Sequence, residues 1–137
     1  MGENPKRMSS AALAFIGDAV YEVYVRNYCI KKGKSSADRL HTAAVKYVRA
    51  TSQAKAMRII SKELSEEDYE VMNRARNRKP KSVPKNADVM DYKWATAFEA
   101  LVGYYYLSEK TQELEELMKN VILIIEGKKV SLGTSNE

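Results

Sequence analysis

The sequence predicts an all-α protein, a single domain built as a helical bundle. Residues that start and stop helices recur along the chain, apolar residues recur every three to four positions, and strand signals are weak. A length of 137 residues is typical of one domain, and 45% hydrophobic with 30% charged residues is a globular composition. We therefore expect one domain over residues 1–137, with an ordered bundle at 9–126 and a frayed tail at 127–137.

The first helix is predicted to start at a serine and stop at a glycine. Ser9 or Ser10 can cap its N-terminus, and Gly33 follows a lysine-rich last turn near Lys32. The apolar positions that recur at helical spacing are Leu13, Ile16, Val20 and Tyr24.

The next three helices are also predicted from their capping residues. Ser35 or Ser36 opens the second, and a third restarts near Ser52, although the pattern fits one bent helix as well as two. Ser65 with Asp68 three residues later resembles a capping box and opens the fourth.

A loop and two further helices follow. The segment Asn77–Lys85 holds two of the three prolines and is predicted to be a loop. The fifth helix is expected from about Ala87 to Leu107, and the last from Thr111 to just before Gly127. The expected core includes Met72, Met90 and Met118.

Positive charge is concentrated in the stretch RARNRKPKSVPK, residues 74–85. Six of the 23 lysine and arginine residues lie here without an acid, and the others nearly balance the 18 acids. These six residues are Arg74, Arg76, Arg78, Lys79, Lys81 and Lys85. A solvated charge run is the usual interpretation, but such a local excess favours a polyanionic partner such as nucleic acid.

Other features favour a cytoplasmic protein without a membrane segment. The single cysteine, Cys29, cannot form an internal disulfide, and no apolar run approaches the roughly 20 residues that cross a bilayer. The N-terminal residues lack the apolar core of a secretion signal.

Two apolar helices each carry an isolated acid near the middle. Asp18 lies in FIGDAV and Glu99 lies in WATAFEALVGYYYLS, and each has small neighbours such as Gly17 and Gly103. Glycine inside a helix costs about 0.5–1 kcal/mol relative to alanine, so close packing of the two helices is a reason to keep it. We expect that packing to bury both acids and bring them together.

Two facing carboxylates repel, and a divalent cation bound between them is the simplest way to offset the repulsion. Mg²⁺ is the ion we expect. It prefers hard oxygen ligands, and when bound it can activate a water for phosphodiester hydrolysis. The alternative is structural, because a lone helical acid more often pairs with an arginine.

These residues resemble the ribonuclease III family. FIGDAV resembles its signature helix, AFEALVGYYYL resembles its second motif, and the likeness extends from about Ser9 to Ile124. The segments GDAVYEVYVR, RARN, PKN and TAFEAL are similar to the short Mini-ribonuclease III subgroup, which has the catalytic domain without a double-stranded-RNA-binding domain.

The resemblance implies an all-α ribonuclease III-like helical bundle and an activity. Such an enzyme hydrolyses double-stranded RNA with Mg²⁺, or Mn²⁺ as a substitute, leaving 5′-phosphate and 3′-hydroxyl ends. It acts as a homodimer whose signature helices meet at the subunit interface. The subgroup is associated with maturation of the large-subunit (23S) ribosomal RNA precursor. By motif position, Asp18 and Glu99 correspond to the catalytic, metal-binding acids.

Two family acids are missing, which leaves the metal fewer protein ligands. Ala14 and Thr96 occupy the positions where the larger family has a glutamate and an aspartate. Glu22, one turn after Asp18, is a candidate to support the site through water, and an ion pair with Arg26 is the alternative.

Without a separate binding domain, affinity for the duplex is expected to come from the six basic residues of 74–85. Two other interpretations remain open: a non-catalytic module that binds double-stranded RNA, and a helical protein-interaction dimer with an incidental basic loop.

Overall fold

Six α-helices form the described part of the computed structural model, which covers residues 4–33, 36–80 and 82–130. They are α1 (Ser10–Lys31), α2 (Ala37–Val48), α3 (Ala50–Ile60), α4 (Glu66–Asn77), α5 (Val89–Leu107) and α6 (Thr111–Ile125). Short 3₁₀ turns precede α1, at Pro5–Arg7, and follow α3, at Ser61–Glu63. These residues contain no strand, so the predicted all-α class is confirmed.

Four helices begin at a side-chain cap. Ser9, Ser36, Ser65 and Asp88 each accept a hydrogen bond from the backbone N–H three residues later, at 3.0–3.2 Å. The predicted starts of α1, α2 and α4 are therefore confirmed. The start of α5 lies two residues later than predicted, because Asp88 takes the cap position.

The segment after Ser36 forms two separate helices. Arg49 has an extended backbone (φ −69°, ψ 151°) that ends α2 and starts α3 at Ala50. The side-chain amide of Gln53 donates to the Val48 carbonyl at 2.8 Å across this break. Of the two possibilities left open by the sequence, two separate helices are observed and not one bent helix.

Helix α5 lies at the centre of the bundle. It packs most extensively on α1, then on α3 and α4, and also contacts α6. Its residues from Ala97 to Tyr105 are buried, except for half-buried Glu99. The Tyr21 ring of α1 packs edge-on against Phe98, with ring centroids 4.8 Å apart.

One methionine prediction is wrong. Met72 and Met118 are buried in the core, but Met90 is 48% exposed. Met90 lies in the first turn of α5, before the helix enters the bundle.

The C-terminal end of α6 is attached to α1 and α2 through Glu126. One carboxylate oxygen accepts hydrogen bonds from the hydroxyls of Tyr28 (2.6 Å) and Tyr47 (2.7 Å), and the other lies 3.1 Å from Lys128 Nζ. Burial alone would raise the pKa of Glu126, but these donors outweigh it and lower the pKa to about 2. Val130 packs against the core, so the chain is held beyond the predicted start of the tail; residues 131–137 lie outside the described residues.

Among the described helices, none is both long and apolar enough to cross a membrane.

The Glu126 carboxylate should stabilise the fold in a pH-dependent way. We expect Glu126→Gln to lower the free energy of unfolding by about 2 kcal/mol at pH 7, because two hydrogen bonds to a charged acceptor are weakened. The folded pKa lies below the unfolded value, so this contribution is present above about pH 4.5 and is lost as the pH falls toward 2. Urea unfolding over this range measures it, with exposed Glu63→Gln as control. A difference that is constant across pH would contradict the assignment.

Candidate active site

Helices α1 and α5 touch backbone to backbone at two glycines. A Cβ added to Gly17 would lie 1.8 Å from the Glu99 carbonyl oxygen, and one added to Gly103 would lie 2.0 Å from that of Leu13. Both distances are far inside van der Waals contact, so only glycine fits at either position. The close approach predicted from the two glycines is therefore observed.

This contact brings Asp18 and Glu99 together. Gly17, next to Asp18, touches the backbone of Glu99, and the carboxyl groups are close enough for Asp18 to act on the pKa of Glu99. Burial first, and then the negative charge of Asp18, raise the pKa of Glu99 to about 8. The expected juxtaposition is present, but the expected burial of both acids is wrong.

The two acids differ in exposure. Asp18 is exposed and Glu99 is half-buried. The pair is therefore open to solvent and to a ligand on its Asp18 side, which suits a substrate as large as a nucleic acid better than a closed core site would.

A divalent cation fits this pair of carboxylates. Without one, the pair avoids repulsion by holding a proton on Glu99, and a cation could take the place of that proton. In the described part of the chain, no group of three or more acids, histidines or cysteines could hold a metal. Two protein ligands would leave most of the coordination to water and phosphate oxygens, an arrangement common for Mg²⁺.

The two departures from the family pattern supply no additional ligand. Ala14 has no polar side-chain atom, and the Thr96 hydroxyl donates to the Tyr92 carbonyl of its own helix at 2.9 Å. Within a single chain the candidate site thus consists of the Asp18–Glu99 pair.

Glu22 is engaged in an ion pair. Its carboxylate accepts a hydrogen bond from Arg26 Nε at 3.2 Å, one turn later on α1. This is the structural alternative left open by the sequence. A supporting role for Glu22 through water stays a prediction.

The described basic residues of 74–85 lie in different surroundings. Arg74 and Arg76 lie in α4 and not in the loop, and the Arg74 guanidinium donates to the Lys6 and Met8 carbonyls, at 3.1 Å each. These two bonds give Arg74 a structural role that the sequence did not predict. It attaches the N-terminal segment to α4.

The other basic positions lie on the connection between α4 and α5. Arg78, Lys79 and Lys85 are exposed there, and Lys81 lies outside the described residues. Near the end of this connection Asn86 adopts a left-handed backbone (φ 70°), which asparagine tolerates better than most residues.

Trp94 is a residue that the sequence analysis did not single out. The Arg76 guanidinium carbon lies 4.8 Å from the centre of its ring, and that of Arg58 lies 5.8 Å from it. Arg58 is also paired with Asp91 at 2.9 Å. The available signal was the position of the only tryptophan, nine residues after the basic stretch.

Comparison with known proteins decides the family. The Ribonuclease III domain family matches residues 11–110, which include both acids and the basic stretch. The chain belongs to the ribonuclease III family. The predicted ribonuclease III-like bundle and the resemblance to Mini-ribonuclease III are thereby confirmed.

Several relatives match over nearly the whole chain. Mini-ribonuclease 3 of Clostridium tetani is 43% identical over 88% of this chain and 81% of the relative. Mini-ribonuclease 3 of Brevibacillus brevis is 44% identical over 90% of this chain and 92% of the relative. A crystal structure of a Fusobacterium nucleatum protein is similar with a TM-score of 0.80 and 31% identity, covering 89% of this chain and 94% of that one. The protein is an endoribonuclease.

The glycine contact can be tested by stability. Gly17→Ala would normally stabilise a helix by about 1 kcal/mol, but here we expect a loss of at least about 2 kcal/mol, because the new Cβ collides with the Glu99 carbonyl. Urea unfolding measures the change, and Ala19→Gly on the exposed side of α1 calibrates helix propensity. A more stable Gly17→Ala protein would disprove the close contact.

The carboxylate pair should oppose stability when metal is removed. We expect Asp18→Asn to raise Tm in EDTA, and to do so more at about pH 8.5 than at pH 6, because repulsion grows as Glu99 loses its proton. The sign follows from the raised pKa: folded Glu99 retains a proton that the unfolded chain releases, so stability falls from about pH 4.5 to about pH 8.

Thermal unfolding with exposed Asp38→Asn as control measures this effect. A Tm that falls equally in both variants would show that the Asp18–Glu99 pair is not repulsive.

Proposed function

We propose that the protein hydrolyses phosphodiester bonds in double-stranded RNA, with Asp18 and Glu99 as its catalytic, metal-binding acids. The observation that carries the proposal is the repulsive carboxylate pair held by the contact of Gly17 with Glu99. Neither acid forms an ion pair among the described residues, and such a pair costs stability, which is typical of residues kept for function.

Mg²⁺ is the proposed cofactor, with Mn²⁺ as a substitute. A bound divalent cation supplies an activated water and stabilises the leaving oxygen, which gives 5′-phosphate and 3′-hydroxyl products. Asp18 and Glu99 would hold such a cation through their carboxylate oxygens, with Glu99 in its deprotonated form. The backbone contact fixes the main chain at Gly17 and Glu99 before substrate binds.

Duplex binding is assigned to the α4–α5 connection. Arg78, Lys79 and Lys85 are exposed there and, with Lys81, are suited to phosphate oxygens along an RNA duplex. Arg76 completes the set at the end of α4. Arg74 is omitted, because its guanidinium is already bound to two carbonyl groups.

A homodimer through α1 is part of the proposal. Phe15 (82% exposed), Val23 (69%) and Ile30 (57%) recur at seven- to eight-residue intervals and form one apolar stripe on this helix. Such a stripe costs free energy in water, and a second copy of α1 would cover it by two-fold symmetry. Because Phe15 lies one turn before Asp18, the two sites would face a common RNA-binding surface.

For the natural substrate, we propose the large-subunit (23S) ribosomal RNA precursor. The resemblance to Mini-ribonuclease III supports this assignment, which would put the reaction in the cytoplasm.

Cleavage of a defined RNA duplex tests the function. With Mg²⁺ we expect the unaltered protein to cut the duplex, and Asp18→Asn or Glu99→Gln to reduce the rate at least about 10³-fold while binding it unchanged in EDTA. Removal of Mg²⁺ should have the same effect. Binding without cleavage by the unaltered protein would instead indicate a non-catalytic RNA-binding module.

The proposed substrate is tested by comparing the cleavage rate of a precursor of large-subunit ribosomal RNA with that of an unrelated duplex.

The dimer has its own test. We expect Val23→Glu, in the middle of the stripe, to give a monomer in analytical ultracentrifugation, because the charge would be buried against its symmetry mate. Ile59→Glu, at a partly exposed apolar position of α3, should leave the oligomeric state unchanged. A monomeric unaltered protein at micromolar concentration would contradict the dimer.

A further inference from the structure

The two ends of the α4–α5 connection are joined by one contact between side chains. Arg76 lies one residue before the end of α4, and Trp94 lies in the second turn of α5. The Arg76 guanidinium carbon is 4.8 Å from the centre of the Trp94 ring, a distance at which cation and ring attract. The contact therefore joins the two ends of the connection at its base. We call this contact between Arg76 and Trp94 the clasp.

Neighbouring side chains hold both members of the clasp. Arg76 donates hydrogen bonds to the side-chain oxygens of Asn73 and Asn77, which orient its guanidinium on α4. On the α5 side, Arg58 lies 5.8 Å from the Trp94 ring and is anchored by Asp91. The indole is therefore contacted by cations from both α3 and α4.

The two arginines next to Trp94 differ in whether an acid compensates their charge. Asp91 compensates Arg58 at 2.9 Å, whereas Arg76 forms no ion pair with any acid in the described part of the chain. An arginine with only neutral partners keeps its positive charge available, and that charge lies at the root of the connection that carries Arg78, Lys79 and Lys85.

The connection itself has little internal structure to hold it. Among the described residues between the end of α4 and the cap of α5, two backbone N–H groups donate: that of Arg78 to the Ala75 carbonyl at 3.3 Å, and that of Ala87 to the Pro84 carbonyl at 3.0 Å. Arg78, Lys79 and Lys85 are exposed and form no ion pair with any described residue. Their position relative to the bundle therefore depends on how the two ends of the connection are fixed.

We propose that Trp94 is a positioning residue for RNA binding: through its contact with Arg76 it fixes the base of the α4–α5 connection, so that its basic side chains meet the duplex backbone together. The inference rests on the proposed function, because it assigns affinity for double-stranded RNA to this connection. Trp94 needs no contact with RNA in order to act in this way.

The salt dependence of binding by a neutral variant provides the test. Each phosphate contact adds about one to the slope of log affinity against log salt concentration. Trp94→Leu removes no charge, so any change in that slope must come from basic residues that no longer reach the duplex. We expect Trp94→Leu to weaken binding of a defined RNA duplex in EDTA roughly tenfold and to reduce the slope by at least one.

Two further variants separate positioning from general damage. Trp94→Phe keeps an aromatic face for Arg76 and should restore most of the affinity and slope. Tyr69→Leu removes a partly exposed aromatic ring elsewhere on α4 and should change neither. In cleavage assays with Mg²⁺, Trp94→Leu should raise KM and leave kcat unchanged at saturating duplex.

The outcomes distinguish the inference from the function on which it rests. An unaltered protein that neither binds nor cleaves the duplex would overturn both. If the unaltered protein binds the duplex, and folded Trp94→Leu binds it with the same affinity and the same salt slope, the role of the clasp alone would be overturned. A fall in kcat without a change in KM would also overturn it, because the effect would then lie in catalysis and not in binding.

Discussion

The direct contact between the backbones of α1 and α5 is the constraint on which the rest of the structure depends. Gly17 and Gly103 allow each helix to press its backbone against a carbonyl group of the other. With no side chain between the helices at these points, the separation of Asp18 and Glu99 is set mainly by the main chain. The same contact makes α5 the central helix, around which α3, α4 and α6 complete the core.

The carboxylates of this protein fall into two physical classes. Glu126 accepts hydrogen bonds from two tyrosines and lies beside Lys128, and its pKa falls to about 2. Glu99 faces another carboxylate, and its pKa rises to about 8. The first arrangement holds the end of α6 in place, whereas the second opposes folding. This contrast supports the proposal that the Asp18–Glu99 pair serves function and not stability.

Local sequence rules were enough to predict the helices and much of the candidate site. Capping residues predicted three helix starts correctly, because a cap depends on residues three positions apart. The glycines beside Asp18 and Glu99 predicted the close approach, and the motifs predicted the family. The exposure of Asp18 was not predicted, because helical periodicity shows which residues share a face but not where the neighbouring helix ends.

Longer-range contacts escaped prediction for a related reason. Arg74 lies in a basic stretch, yet its partners are carbonyl groups of Lys6 and Met8, far away in sequence. Met90 has a core-type side chain but lies in the first turn of its helix, outside the packed region. The contact of Arg76 with Trp94 joins two helices across a loop. Each of these depends on the relative positions of whole helices, which no short window of sequence records.

The position of the only tryptophan gives the molecule a built-in optical probe. Its indole lies within 6 Å of two guanidinium groups at the root of the α4–α5 connection, and the chain has no second tryptophan to obscure its signal. Indole emission responds to nearby charge and to water, so fluorescence of the unlabelled protein reports on this one region. In a stopped-flow mixing experiment, the signal would follow the arrival of an RNA duplex in real time and separate that event from the slower cutting of the strand.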